Sequence, residues 1–545
     1  MPNAFLLPQP PEIRSTAARR RGLLAGQAMR ELRRWTAMLG LALLPQGTMA
    51  QVAPSPEFQL LPLTESSGDY EPLSLLALGE SAESEPLSGP ELGSPEWSAS
   101  DDEANASVTD RLDALERKYF DLEDDYSKLS DEHSELQDEL KTCVTSGHDG
   151  SELTVYGRIH LDHWAYPGDS PGANAFESGD PNISPQDRLG FRRARIGVQG
   201  DLWTTMEYRL EMEFAEGNDV EFRDIYLGWK DLPLLQNLLI GNQKRPYGLD
   251  HLNSSRYNVF LERPFVIEAF NQDARRLGIQ SYSVSEDLAW NWRYGVFNQR
   301  LIQDEGSYLS DHYQLELAGR LANTFWYDES TCGRGYGHWA IAGTAAHPDG
   351  SGLPGRATNE ARFRTRPEAR TESRWIDTGV IDGANDYNLL GLENVWNFGP
   401  LQLVGEYQNV WLDRDPATQL RFHGGYFYAA YFLTGEHMPW DRKTGMLDRV
   451  EPLTNFSLVD RCDDGVRSGC GAWQVAYRWS FGDFSDDDVL GGVGRSHTLG
   501  LNWHWNPAAK MQFNAIYGEI DDHAPVAGQT FGSYAILGTR LMVDF

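Results

Sequence analysis

From Leu153 to the final residue, Phe545, apolar and polar side chains alternate with a period of two, and the polar positions are heavily charged. "LTVYGRIHLDHW" sets Leu153, Val155, Gly157, Ile159 and Leu161 against Tyr156, Arg158, His160 and Asp162. "MEYRLEMEF" sets Met206, Tyr208, Leu210, Met212 and Phe214 against Glu207, Arg209, Glu211 and Glu213, and "AILGTRLMVDF" keeps Ala535, Leu537, Thr539, Leu541, Val543 and Phe545 on one side. Similar segments recur as "RRARIGVQG", "DIYLGWKD", "NLLIGNQKRPYG", "LGIQSYSV", "WNWRYGVFN", "YQLELAGRLA", "HWAIAGTAAH", "NLLGLENVWNF", "LQLVGEYQNVW", "FYAAYFLTG", "WQVAYRWSF", "TLGLNWHWN" and "MQFNAIYGE", for sixteen strands in all. Short connections alternate with long ones and no helical crossover intervenes, which predicts an all-β, 16-stranded antiparallel barrel. A soluble barrel turns its apolar face inward; acids and bases on one face and aliphatic or aromatic groups on the other fit a polar lumen inside a lipid-facing band. Sixteen strands leave room for an aqueous channel rather than a filled core.

The 545-residue chain carries a formal charge of −33, which argues against a nucleic-acid partner, whose phosphates demand Lys and Arg. No run approaches the ~20 apolar residues of a membrane-spanning helix. Residues 1–50 resemble an export signal: Arg30, Arg33 and Arg34 precede the apolar "WTAMLGLALL", and "TMA" offers small residues for a cut after Ala50. Residues 51–106, rich in Pro, Ser, Glu and Gly, are expected to be a solvated, disordered linker. Residues 107–143 carry a heptad seam, with Val108, Leu112, Leu115, Tyr119, Leu122, Tyr126, Leu129, His133, Leu136 and Leu140 at alternating steps of four and three. Such a seam predicts a short α-helical coiled coil that self-associates, or else an amphipathic helix packed on the rest of the chain. The barrel region occupies 151–545.

Within the barrel region, "FRRARIG", "YFLTGEHMPWDRKTGMLDRVEP", "GAWQVAYRW", "LNWHWNPAAKMQFNAIYGE" and "NSSRYNVFLERP" resemble, in order, motifs of the phosphate-selective porin O and P family. The resemblance covers Leu153–Phe545 and implies a homotrimeric outer-membrane barrel with a narrow, anion-selective eyelet. It implies that Arg158 lines the eyelet, that Arg192 and Arg193 match the paired arginines of the second strand, and that Arg362, Arg364, Arg366 and Arg370 match an arginine ladder, with Arg374 a further rung. Strict alternation puts Arg193 and Arg195 on one face and Arg192 on the other, so the pair can share the pore only through a β-bulge. Two departures weaken strict phosphate selectivity and leave pyrophosphate or other oxyanions open: "HDGSELTVYG" lacks the lysines some members carry near the first strand, and Glu207, Glu211 and Glu213 are expected to face the lumen.

The chemistry of "EARFRTRPEARTESRW" (Glu360–Trp375) can be argued independently. On an extended segment, arginines two apart project to one side about 7 Å apart, and Arg362 to Arg374 would span on the order of 40 Å. Neighbours at that distance repel by roughly 0.6 kcal/mol in water and more in a narrow passage, a cost that anions relieve. Guanidinium forks bind phosphate bidentately, and several similar sites in series let an anion move on. A solvated loop is the plain alternative; inside a barrel, an anion path explains the run better.

Cys462 and Cys470 in "RCDDGVRSGC" are candidates for a local disulfide, in a long turn on the periplasmic side; Cys143 and Cys332 map to that side as well. The spacing suits no metal site, and no G-x-S-x-G, H-E-x-x-H or phosphate-binding glycine loop is present, so neither catalysis nor a cofactor is expected. The reading is a non-enzymatic porin of the cell outer membrane, surrounded by its lipid, passing inorganic phosphate or related anions. The coil would stand in the periplasm as a spacer or cell-wall contact. The alternatives are an envelope-tethering barrel and a less selective general porin.

Overall fold

The structure, a computed structural model, describes residues 153–215, 220–271, 274–302, 313–348, 360–462 and 465–545. The expected signal, linker and coiled coil lie outside the described residues.

Sixteen strands close into one barrel, each paired antiparallel with its chain neighbours. They are β1 Thr154–Asp169, β2 Arg188–Leu202, β3 Met206–Glu213, β4 Glu221–Leu232, β5 Gln236–Lys244, β6 Arg275–Val284, β7 Trp290–Asn298, β8 Leu315–Tyr327, β9 Gly335–Ala346, β10 Ala384–Phe398, β11 Leu401–Arg414, β12 Leu420–Phe432, β13 Ala472–Asp486, β14 Val489–Asn506, β15 Ala509–His523 and β16 Gly532–Asp544. All sixteen fall where the period-two pattern places them. β16 closes on β1 with Arg158 opposite Asp544 and Leu161 opposite Leu541. Phe545 extends that seam by exchanging two backbone hydrogen bonds with Gly157, 2.8 and 3.1 Å. Closure leaves no strand edge unpaired, the condition for a sheet to cross a bilayer.

The alternation resolves into two faces of opposite character. On β13, Val475, Tyr477 and Trp479 are exposed outward while Gln474, Arg478 and Ser480 are buried inward. On β8, Leu317 is 60 % exposed and Arg320 only 2 %. A protein that exposes its leucines and buries its arginines is inside out for water and correctly built for lipid.

The turns at the end holding Phe545 are short (203–205, 233–235, 285–289, 328–334, 399–400, 507–508), which marks it as the periplasmic end. One exception, 433–471, is long. At the other end, long loops carry α1 (Pro171–Ser178), α2 (Leu249–Leu252) and α3 (Phe265–Phe270). α1 is capped by Ser170 and ends on the left-handed Gly179. Its Gly172 has no room for a side chain, because a Cβ there would stand 1.7 Å from the Phe531 carbonyl oxygen.

Among the described residues, three segments fold into the lumen. The first, 245–271, crosses from β5 to the opposite wall. Its carbonyls have no sheet partners, and inward side chains of β13–β16 supply them: Arg478 to Glu262 O (2.9 Å), Asn502 to Val259 O (2.9 Å), Lys510 to Asn258 O (3.0 Å) and Arg540 to Leu261 O (2.6 Å). The second, 360–383, holds the arginine run. The third rises from the periplasmic end: Tyr336 donates to Met438 O, the Trp440 indole to Thr324, and Arg320 to Gly445 O, while Leu447 N reaches Asn253 of the crossing segment at 3.1 Å. Sequence periodicity foresaw none of these inward folds, nor the three short helices.

Candidate anion path

The upper part of β2 shows how the wall presents its charges. His160 pairs with Arg193 and Leu161 with Phe191, so Arg192 is the extra residue of a β-bulge. The bulge turns both members of the pair inward; Arg192, Arg193 and Arg195 all line one lumen cavity of about 370 Å³. Arg193 reaches the His160 ring nitrogen Nδ1 at 3.2 Å. Arg195 bonds Glu213 (2.5 Å) and Glu211 (3.1 Å), confirming that these carboxylates face inward.

Arg158 lines neither this cavity nor the outer one described below. It is 4 % exposed and holds Ser255 (2.9 Å) and Glu211 (3.1 Å), so it fastens the crossing segment to the wall.

The arginine run does not extend over ~40 Å as its spacing suggests. It folds back on itself: Arg364 pairs with Asp377 and Thr365 with Ile376, and the chain reverses between them around Pro367 and Glu368, the latter at φ 57°. The cause lies in Glu368, which is buried against Arg478 (2.8 Å) and the Ser496 hydroxyl (2.8 Å) on the far wall. Its return limb is fastened by Glu177 of α1, which accepts from Glu372 N, Ser373 N and the Trp375 indole at 2.9, 3.1 and 2.8 Å. On the descending limb Phe363 and Thr365 are buried while Arg362, Arg364 and Arg366 share the other side, as alternation requires.

The eight expected arginines therefore separate. Arg362 is exposed and pairs with Asp377, and neither it nor Arg364 lines a cavity described here. Arg374 joins the inner cavity, and Arg192, Arg366 and Arg370 line both it and an outer cavity of about 650 Å³ that also takes in Arg188 and Trp164. Those three stand where the two spaces meet. Arg223, Arg263 and Arg275 also line the inner cavity and were not singled out by sequence; only Arg195 had been placed, by its parity with Arg193.

In the inner cavity nine arginines face three glutamates, Glu221, Glu262 and Glu268. Glu262 takes the Arg192 fork at 2.8 and 3.1 Å and Arg540 at 2.7 Å. Burial alone would raise its pKa, but Arg192, Arg540 and Arg193 outweigh it and hold the carboxyl well below its usual range. Arg366 pairs with Glu268 at 3.2 Å. Arg370 is pushed down to about 10, first by the Arg192 charge and then by burial. Behind the lining, Glu211 and Glu213 hold Arg195 and Asp224 holds Arg275 at 2.7 Å, so the nine arginines stand among six carboxylates and positive charge stays in excess.

Cys470 is exposed, its sulfur 3.3 Å from the Gly471 carbonyl oxygen; the side chain of Cys462, its expected partner, lies outside the described residues.

A closed barrel coated with apolar side chains, with a charged lumen narrowed by inward loops, defines a porin: a channel of the outer membrane rather than an enzyme. The chain belongs to the phosphate-selective porin O and P family, whose model matches residues 155–545. It is 23 % identical to Porin O of Pseudomonas aeruginosa over 67 % of this chain and 82 % of that one. It is 27 % identical to an uncharacterized protein of Caulobacter vibrioides over 65 % of this chain and 68 % of that one. Similar solved structures include the outer membrane channel DcaP of Acinetobacter baumannii (TM-score 0.43, 10 % identity, 74 % of this chain and 99 % of that one). OmpT of Vibrio cholerae in its trimer form is another (TM-score 0.43, 11 % identity, 72 % and 100 %).

Proposed function

We propose that the protein is an anion-selective diffusion channel for phosphate and related oxyanions, working as a homotrimer, with Arg192, Arg193, Arg366, Arg370 and Arg374 along the path. The observation that carries this reading is the crowding of nine arginines on the inner cavity, in excess of the six carboxylates that line it or pair with them, in a chain whose net charge is −33. Local field, not overall charge, selects the permeant ion. Guanidinium forks match phosphate oxygens, and sites in series at the junction of the two cavities keep each hold brief enough for release. The family name supports phosphate as the anion. The glutamates on Arg192 and Arg366 favour a second, broader reading, in which several oxyanions pass with similar ease. The predicted coil at 107–143 is proposed to stand in the periplasm beneath the trimer, as a spacer or wall contact.

Single-channel recording of the full-length protein in planar bilayers tests this. The reversal potential in a salt gradient should show anion selectivity, and phosphate added to chloride should reduce the current saturably. Both effects should weaken in Arg366→Ala/Arg370→Ala. Cation selectivity in the unaltered protein refutes the reading.

A further inference from the structure

Three glutamates carried by the crossing segment and the arginine hairpin pair with arginines, and their settings differ. Glu368 has a fully buried side chain on Arg478. Glu262 is 14 % exposed and held by Arg192 and Arg540 together. Glu268, on α3 of the crossing segment, is 31 % exposed and lines the inner cavity. Its Oε2 accepts from Arg366 N (3.1 Å) and the Thr365 hydroxyl (3.0 Å), and its Oε1 accepts from the Arg366 guanidinium at 3.2 Å.

The first two pairs are costly to break, because separation would strand a buried charge. The side-chain pair of Glu268 and Arg366, more exposed on its carboxylate side, is weaker and exchanges more readily. A phosphate oxygen presents to Arg366 the chemistry that the Glu268 carboxylate already supplies, with a second oxygen free for Arg370, which lines the same cavity. We propose that Glu268 is a resident competitor: a tethered carboxylate that an entering oxyanion displaces from Arg366 and that returns as the anion leaves. No covalent bond changes, and Glu268 stays attached through its contacts to Arg366 N and Thr365. The exchange sets affinity low and release fast, which a conducting path needs. This inference rests on the anion-channel reading and goes beyond it by assigning one residue to the balance between binding and release.

Glu268→Gln tests it, since the amide oxygen keeps an acceptor for Arg366 N or Thr365 while the charge is gone. The full-length variant is inserted in planar bilayers after its heat-modifiable gel shift has shown a folded barrel. Inorganic phosphate is then titrated into chloride. The half-saturating phosphate concentration is expected to fall about 5-fold, while the current at saturating phosphate drops and the dwell time of each block lengthens. Tighter binding together with slower passage is a pattern that a loosened loop would not produce. An unchanged or weaker phosphate affinity in Glu268→Gln, with the unaltered channel anion-selective, overturns the competitor role alone. An unaltered channel that is not anion-selective overturns it together with the reading beneath it.

Discussion

Arg478 on β13 offers the sharpest test of how the lumen is narrowed. Its guanidinium gives one hydrogen bond to the Glu262 carbonyl of the crossing segment (2.9 Å) and another to the Glu368 carboxylate of the arginine hairpin (2.8 Å), and it stacks over the Phe260 ring at 4.5 Å. One side chain thus ties both inward loops to the same wall. In Arg478→Met, Glu368 keeps only hydroxyl partners, Ser496 at 2.8 Å and Thr498 at 3.4 Å. Breaking a buried pair from one side costs about 3–5 kcal/mol. At about 1.4 kcal/mol per factor of ten, the docked-to-undocked ratio falls by roughly two to three and a half powers of ten. The wall itself is untouched, since the backbone of Arg478 stays paired with Tyr428 and Thr498. The expected result is a folded barrel whose single-channel conductance is larger and noisier, and whose liposomes swell faster in a neutral trisaccharide. Arg478→Met/Glu368→Leu, with no charge left stranded, should recover most of the quiet, small conductance. Wild-type conductance and noise in Arg478→Met would refute the reasoning that this guanidinium holds the loops.

Arg370→Ala removes a charge from the junction of the two cavities; about 5 Å from a bound anion, in a partly screened site, such a charge is worth on the order of 1 kcal/mol or more, so phosphate affinity in bilayer titrations should fall about 5- to 10-fold. Selectivity should hold from about pH 4 to about pH 9. Glu262 has a depressed pKa, so its tie from the crossing segment to Arg192 and Arg540 on the wall is complete above the ordinary carboxylate value and is lost only as pH falls through the lowered one. At the alkaline end Arg370, at about 10, keeps its charge. Reversal potentials across that range check both ends. Cys332 and Cys470 are exposed thiols, so each should take up a maleimide without reductant in intact-mass measurements, and a Cys470 that reacts only after reduction would show a bridge to Cys462.

The barrel was legible because lipid and lumen impose a period of two on every strand, so Leu317 and Arg320 declare their faces without reference to anything distant. The bulge at Arg192 was legible as a condition: two adjacent arginines can share a pore only through an extra residue. The counter-ions were not. Glu262 meets Arg192 from 70 positions away, Glu268 meets Arg366 from 98, and Glu368 meets Arg478 from 110, and no local pattern encodes such pairings. The same limit hid the fold-back of the arginine run, since the turn at Glu368 is set by an arginine on another strand. Arg158 illustrates a further limit. Its strand position identified it as inward, but its partners, Ser255 and Glu211, which make it fasten a loop to the wall, lie 97 and 53 positions away.

The ties across the lumen also order the assembly in time. The crossing segment emerges after β5, yet the side chains that satisfy its carbonyls at 258–262 sit on the last four strands: Asn502 meets Val259 across 243 positions and Arg540 meets Leu261 across 279. Contacts so far apart in the chain form only after the intervening polypeptide has been placed. The seam between β1 and β16 must therefore join, or nearly join, before the loop can settle. A barrel caught halfway through insertion would be a wide, unguarded hole, and the barrier to leakage arrives with the final strands.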